Sequence, residues 1–264
     1  MLQQKIYKFK FLSIAGSDNS GGAGVQMDIK IAALLGGYSM CAITALTAQN
    51  SHGVHDVYGI DSNFLHKQIT TILTDMPPDI IKTGMLHTQE HIDVICDILH
   101  DYQNIPVVID PVLCSSNGTK LLTNNAIDSL KNRLFKHSFL ITPNIPEAEI
   151  LANMPIHNHD DIIRAGRYLQ KYGVRNVLLK GGHSGNIHES TDILITEHDI
   201  FHITKPRLPY DNVHGTGCGL ASAIASFLAC GYNIYDAVCA GKDYIYQAIY
   251  HANVVGTGSR ALYF

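Results

Sequence analysis

Apolar positions along the chain follow two rhythms. Short unbroken runs rich in Ile, Val and Leu occur at Phe11–Ala15, Met40–Leu46, Asp79–Lys82, Pro106–Asp110, Phe139–Thr142 and Asn176–Lys180. Runs of that length predict strands buried on both faces of a mainly parallel sheet. Between them, Gly22–Leu35, Ser62–Leu73, Gln89–Tyr102, Thr123–Leu134 and Asp160–Tyr172 read as amphipathic helices. Two further helices are expected at about Thr216–Ala229 and Ile234–Tyr250. The Thr123-Asn124-Asn125 cap and the stops at Gly173 and Gly231 support several of these boundaries. The alternation predicts one α/β domain, three-layered α/β/α, with a largely parallel central sheet. Chemistry in such a sheet gathers beyond the carboxyl ends of the strands.

The 264 residues can bury one large core, and with no internal repeat or domain-scale linker, residues 1–264 read as a single domain. Lys and Arg together number 19 against 23 acids, giving a net charge of -4 and no long basic run. Neither nucleic acid nor an anionic membrane is an expected partner. No stretch reaches the roughly 20 apolar residues of a membrane span. Met1 to Lys10 also lacks a signal peptide's apolar core, so a cytoplasmic protein is expected. The six Cys lack a paired metal-binding spacing and suit reduced thiols. The 15 His include no H-E-x-x-H pattern or Cys/His ligand grouping, which argues against zinc.

The stretch from Asp211 to Gly219 carries the strongest candidate chemistry. It is a polar, glycine-rich turn, His214-Gly215-Thr216-Gly217-Cys218, feeding an apolar helix. Unpaired N–H groups in a first helical turn suit phosphate, and the positive helix end is expected to favour a Cys218 thiolate. A tight turn before a buried helix explains the same residues. Ala15–Asp28 is a second glycine-rich loop, either a substrate cradle or a crowded strand–helix turn. Gln49 ends a strand with a side chain that donates and accepts at once, as an amino-substituted heteroaromatic ring requires. Met85 is a pocket wall or core. Asp110 ends another strand, and Asn144 with Glu147, three apart, could hold hydrated Mg²⁺ or simply open a helix. Lys180 ends a strand where a transferred phosphate could lie, and Cys114–Gly118 is a polar loop that could fold over a substrate.

In order and spacing, Ala15–Asp28, Thr44–Asn50, Asp110–Leu113, Thr142–Glu149, Lys180–His183 and His214–Cys218 together resemble the hydroxymethylpyrimidine/phosphomethylpyrimidine kinases of the ribokinase-like superfamily. The resemblance runs from about Phe11 to Gly231. It implies a homodimer with a ribokinase-like fold. It also implies ATP- and Mg²⁺-dependent phosphorylation of a hydroxymethyl aminopyrimidine and then of its monophosphate, in thiamine biosynthesis. Gly16, Asp28, Gln49 and Met85 would meet the aminopyrimidine. Lys180 and Gly215, Thr216, Gly217 and Cys218 would form the anion hole and ATP contact. Asp110, Asn144 and Glu147 would associate with Mg²⁺, through water if not directly. Cys218 would serve where sugar kinases of the superfamily place an aspartate base. Asn19, where the family has proline, is expected to loosen the first loop, and Ser116 replaces a loop lysine. Val213 and Gly219 stand at hydroxyl positions, which predicts weaker nucleotide binding. A pyridoxal or pyridoxine kinase and a ligand-binding regulatory homologue are the alternatives.

Overall fold

The computed structural model describes residues 6–115, 118–181, 188–210 and 212–264. His183, Ser116, Asn117 and Asp211 fall outside the described residues. The chain opens with β1 (Lys10–Asp18), α1 (Gly24–Leu34), β2 (Tyr38–Asn50), β3 (Gly53–Gly59) and α2 (Ser62–Asp75). It continues through β4 (Ile80–Thr83), α3 (Gln89–Asp101), β5 (Val107–Ile109), α4 (Asn124–Ser129), β6 (Leu140–Ile141) and α5 (Ile145–Ala152). Next come α6 (His159–Gln170), β7 (Asn176–Leu179), β8 (Glu189–Ile195) and β9 (Ile200–Pro206). The last elements are β10 (Val213–His214), α7 (Thr216–Ala229), α8 (Ile234–Tyr250), β11 (Asn253–Val254) and β12 (Arg260–Ala261).

Among the described residues, nine strands form one sheet in the order β3-β2-β1-β4-β5-β6-β7-β8-β9. The six central strands, β2 to β7, run parallel; β3 at one edge and the β8–β9 hairpin at the other are antiparallel. Period-two alternation divides the core. Leu12, Ile14 and Ile81 pack with buried residues of α2 through α6, whereas Phe11 and Ile80 pack with those of α1, α7 and α8. The result is the expected three-layer arrangement. The expected Thr123–Leu134 helix is α only to Ser129 and continues as a π-type turn over Leu130–Leu134.

Two features of this frame build the site. Strand β1 breaks register between Ala15 and Ser17, so Gly16 sits at a bulge just before the loop into α1. The short sheet β10-β12-β11 clamps Val213 and His214 against the chain's end, immediately before α7 begins. The first loop and the α7 turn therefore meet above the carboxyl end of β1.

Candidate active site

A cleft of about 840 Å³ opens over the carboxyl ends of the parallel strands. A smaller cavity of about 420 Å³ lies at their other end, around Tyr102, Lys136 and Arg175, and receives none of the expected site residues. Gly16, Gln49, Met85, Asp110, Asn144, Glu147, Lys180 and the segment from Gly215 to Cys218 all border the larger cleft. Asp28 does not.

The α7 turn has the geometry of an anion site. Gly215 caps the helix at φ +83°, and a Cβ there would lie 1.8 Å from the Gly22 carbonyl oxygen. Only glycine permits that approach. No side chain caps α7, so the N–H groups of Thr216, Gly217 and Cys218, the first turn, lack helical partners. Lys180 Nζ is 3.4 Å from where a Cβ on Gly217 would be, which places a cation beside these donors. Gly219 is buried, and a side chain there would meet Ile245, Ile31 and Leu262 at 3.0–3.3 Å. The expectation that Gly219 removes a hydroxyl from the nucleotide is therefore corrected: position 219 faces the core.

Lys180 Nζ donates to Asp110 Oδ1 at 3.0 Å and lies 4.0 Å from Glu147 Oε2. Burial alone would lower its pKa, but Asp110 and then Glu147 hold the ammonium above its ordinary value. Burial pushes Asp110 up, yet Lys180 holds it below the usual carboxylate range. Glu147 behaves oppositely: burial dominates, Lys180 only partly offsets it, and its pKa is pushed up to about 7. Asn144 Oδ1 accepts the Glu147 N–H, and Glu147 Oε2 accepts the Asn144 N–H, both at 2.8 Å. This closes a capping box on α5, the helix-opening role that the sequence allowed for the pair beside association with hydrated Mg²⁺. Among the described residues no three His, Cys, Asp or Glu side chains converge to hold a metal directly. Asp110 and Glu147 fit a hard cation approached through water.

At the other end of the cleft, a Cβ on Gly16 would stand 2.9 Å from Met85 Sδ, so the two meet directly. The Gln49 backbone N–H donates to Asn19 Oδ1 at 2.7 Å. Asn19 thus ties the first loop to the end of β2, contrary to the loosening expected of it. The Gln49 amide lies 2.8 Å from His214 Nε2, which is also 3.0 Å from Asp18 Oδ2.

Asp28, expected at the substrate, is fully buried instead. Its oxygens take Lys82 Nζ at 2.9 and 3.0 Å, Ser13 Oγ at 2.5 Å and Ser222 Oγ at 2.6 Å. It cross-links β1, β4 and α7 beneath the site, and its contact with the ring is withdrawn. Burial would depress Lys82, but the Asp28 carboxylate raises its pKa well above the ordinary value. Cys218 borders the cleft on one side and packs on the α7 core on the other. Burial pushes its thiol up to about 11, against the lowering influences of Lys82 and the Gly24 N–H. The expected helix-end thiolate is corrected: desolvation outweighs the helix at neutral pH.

Sequence reasoning missed Lys82, Asp18 and the Asp192–Lys242 pair. A lone Lys in the buried strand Ile-Ile-Lys-Thr and a lone Asp in apolar α1 were the available signal for Lys82 and Asp28. Asp192 is buried; it accepts the Gly181 N–H at 2.9 Å and pairs with Lys242 at 2.8 Å.

An uncapped, glycine-bounded helix start beside a lysine, over a doubly wound sheet, suits phosphoryl transfer to a small molecule, and the class is that of ribokinase-like small-molecule kinases. Residues 18–262 match the phosphomethylpyrimidine kinase family model, and the chain belongs to that family. The hydroxymethylpyrimidine/phosphomethylpyrimidine kinase of Bacillus subtilis is 39% identical over 251 residues, covering 95% of this chain and 92% of that protein. A thiamine biosynthesis bifunctional protein of Geobacter sulfurreducens is 43% identical over 249 residues. The chain, matched over 94% of its length, spans only 50% of that relative. Among solved structures, the phosphomethylpyrimidine kinase of Clostridium difficile is 42% identical with a TM-score of 0.79, over 91% of this chain and 99% of that one. The pyridoxal kinase of Staphylococcus aureus with ADP is 29% identical with a TM-score of 0.89, over 96% and 92%. The chain is an ATP-binding kinase of the ribokinase-like superfamily. Among the described residues no helix is long and apolar enough to cross a membrane.

Proposed function

We propose that the protein phosphorylates 4-amino-5-hydroxymethyl-2-methylpyrimidine and then its monophosphate, with MgATP, for thiamine biosynthesis. The carrying observation is Gln49: its backbone N–H donates to Asn19 of the first loop, and the residue borders the same cleft as Cys218 and the α7 turn. An amide offers both the acceptor and the donor that an amino group next to a ring nitrogen requires. Gly16 and Met85 would close on the ring. The N–H groups of the α7 turn and Lys180 would hold the polyphosphate. Asp110 and Glu147 would receive hydrated Mg²⁺, which when bound offsets polyphosphate charge.

The substrate hydroxymethyl oxygen forms a bond to the terminal phosphorus of ATP as the bridging oxygen bond to ADP breaks. Its proton passes to Cys218 Sγ in the thiolate form, which Lys82 and the Gly24 N–H favour and burial opposes. In the second cycle a phosphate oxygen of the monophosphate is the nucleophile. No phosphoryl-cysteine forms, because direct in-line transfer needs none. The active form is read as a cytoplasmic homodimer. The cross-strand partners Leu46 and Tyr58, 44% and 72% exposed, support self-association. Light scattering tests it.

A second reading, pyridoxal kinase, is favoured by the 0.89 TM-score of the Staphylococcus aureus enzyme. Incubating the purified protein with MgATP and the pyrimidine, pyridoxal or pyridoxine, followed by product masses, decides between them. Efficient pyridoxal turnover with no pyrimidine product would reverse the assignment.

A further inference from the structure

Asp18, His214 and Gln49 form a chain across three segments: the end of β1, the strand before α7 and the end of β2. Asp18 is an acceptor on every side. Its Oδ1 takes the Ser20 N–H at 2.8 Å and the Ser20 hydroxyl at 2.7 Å; its Oδ2 takes the Gly22 and Ala23 N–H groups at 3.1 and 2.8 Å. Although burial opposes ionisation, His214 and Ser20 hold its pKa down to about 2, so it is a carboxylate throughout the working range. An ionised carboxylate only accepts. The imidazole nitrogen 3.0 Å from Oδ2 must therefore carry a hydrogen, which fixes His214 as the Nε2–H form.

That assignment decides the Gln49 amide. The same Nε2 lies 2.8 Å from the amide's terminal atom, and a nitrogen that is donating its hydrogen has no lone pair for an N–H donor. The oxygen and nitrogen of a carboxamide occupy interchangeable positions, and proton accounting chooses between them. The structure sets the amide Nε2 against His214 and Oε1 3.5 Å from Thr47 Oγ1. Proton accounting exchanges the two, so that the oxygen faces His214, sharing the one Nε2 hydrogen with Asp18 Oδ2, and the NH₂ lies on the side of Thr47, which also borders the cleft. The imidazole packs closely on the loop backbone, since a Cβ on Gly22 would lie 2.4 Å from its Cδ2. Glycine at 22 lets the ring seat flush against the loop.

We propose that His214, oriented by Asp18, is a specificity-determining positioning residue that locks the Gln49 carboxamide with its oxygen on the imidazole and its NH₂ toward the substrate ring. This rests on the proposed pyrimidine kinase reading, and it goes further. The pocket then demands a ring nitrogen, or another acceptor, opposite the NH₂. The second lone pair of the amide oxygen remains for an adjoining amino group. A ring presenting only a donor at that edge is disfavoured, because the amide cannot flip to meet it.

Two measurements test this. The first is a histidine ¹⁵N spectrum of the ligand-free protein at mildly alkaline pH, with His214 assigned by substitution. A hydrogen on Nε2 is expected; a bare Nε2 would overturn the proposal, whatever the substrate. The second compares kcat/KM for the hydroxymethylpyrimidine and for pyridoxine in folded variants. His214→Phe, which keeps a planar ring without the N–H, should reduce pyrimidine preference by about tenfold, mainly through KM. His214→Gln supplies an N–H₂ donor at similar reach and should restore most of that preference. Gln49→Leu/His214→Phe should be no less selective than Gln49→Leu alone, since the histidine acts through the amide. Equal losses on both substrates, or additive effects in the double variant, would also overturn it. Wild-type protein that fails to phosphorylate the pyrimidine defeats the proposed function instead, and the spectrum then decides the positioning role alone.

Discussion

Lys82 Nζ lies 2.9 Å from Asp28 Oδ1, and neither side chain touches solvent. The pair joins β4 to α1, and Asp28 reaches on to Ser13 of β1 and Ser222 of α7. It is the polar keystone beneath the cleft: the helix carrying the anion turn is bonded to the strands that carry the substrate loop. Lys82 also influences Cys218 electrostatically, so a structural ion pair sets the surroundings of the candidate catalytic thiol.

Removing only the acid should be strongly destabilising. Asp28→Leu leaves Lys82 buried without its partner, which costs about 3–5 kcal/mol. In a chain of this size that lowers Tm by roughly 6–20 °C. Asp28→Leu/Lys82→Met should recover much of the loss, because a matched apolar pair strands no charge. Thermal unfolding of both variants checks this; an unchanged Tm in the single variant would show that the pair contributes little.

The substrate end separates from this support. Gln49→Leu should weaken pyrimidine binding by ~1–3 kcal/mol, roughly 5- to 150-fold, while leaving ATP affinity and Tm near wild type. Calorimetric titration with each ligand reads the two affinities. Equal weakening of both would move Gln49 out of the ring pocket.

How much of this was visible in the chain depends on what each residue faces. The central strands announced themselves because burial on both faces makes a continuous apolar run, as in Val107–Ile109. The outer hairpin did not: β9 has exposed Ile200, His202, Thr204 and Pro206 between more protected neighbours, and so shows no such run. The α7 turn was legible because glycine at 215 and a helix start are local features. Asp18 and His214 were not, because their meaning is a contact between segments far apart in sequence. Asp28 misled for a related reason. It follows the glycine loop by a few residues, but α1 turns its side chain inward to Lys82. For Cys218 the helix end was readable while the depth of burial was not, and burial decides its ionisation.

Glu147 gives a pH prediction with a definite sign. Its folded pKa of about 7 exceeds the ordinary 4.5, so the folded protein holds this proton more tightly than the unfolded chain. The associated stability is fully present below about 4.5 and is lost as pH rises through about 7. Glu147→Gln keeps a capping-box partner for α5 but removes this titration. The variant should therefore gain Tm relative to wild type as pH is raised from 4.5 to above 7. A constant difference between the two proteins across that range would contradict the assignment. In assays at fixed free ATP, the same variant should need more Mg²⁺ or turn over more slowly, because charge near the polyphosphate is lost. Undiminished wild-type activity in EDTA without divalent ions would rule the metal role out.

Cys218 tests the chemical step itself. Its sulfur lies at the start of α7, bordering the cleft, with Lys82 and the Gly24 N–H favouring the thiolate and burial opposing it more strongly. With the thiol pushed up to about 11, the base form is a small fraction at neutral pH. If that form takes the hydroxyl proton, the single-turnover rate rises tenfold per pH unit from neutrality toward mild alkalinity. Cys218→Ala should slow transfer by ~100- to 10,000-fold and flatten that rise, with ATP binding substantially preserved. A merely space-filling cysteine would behave differently: the variant would lose Tm, and its folded fraction would transfer phosphate at the normal rate. Single-turnover kinetics across pH, paired with thermal unfolding, distinguish the two. Near-normal transfer by folded Cys218→Ala protein would end the proton-transfer role while leaving the kinase assignment intact.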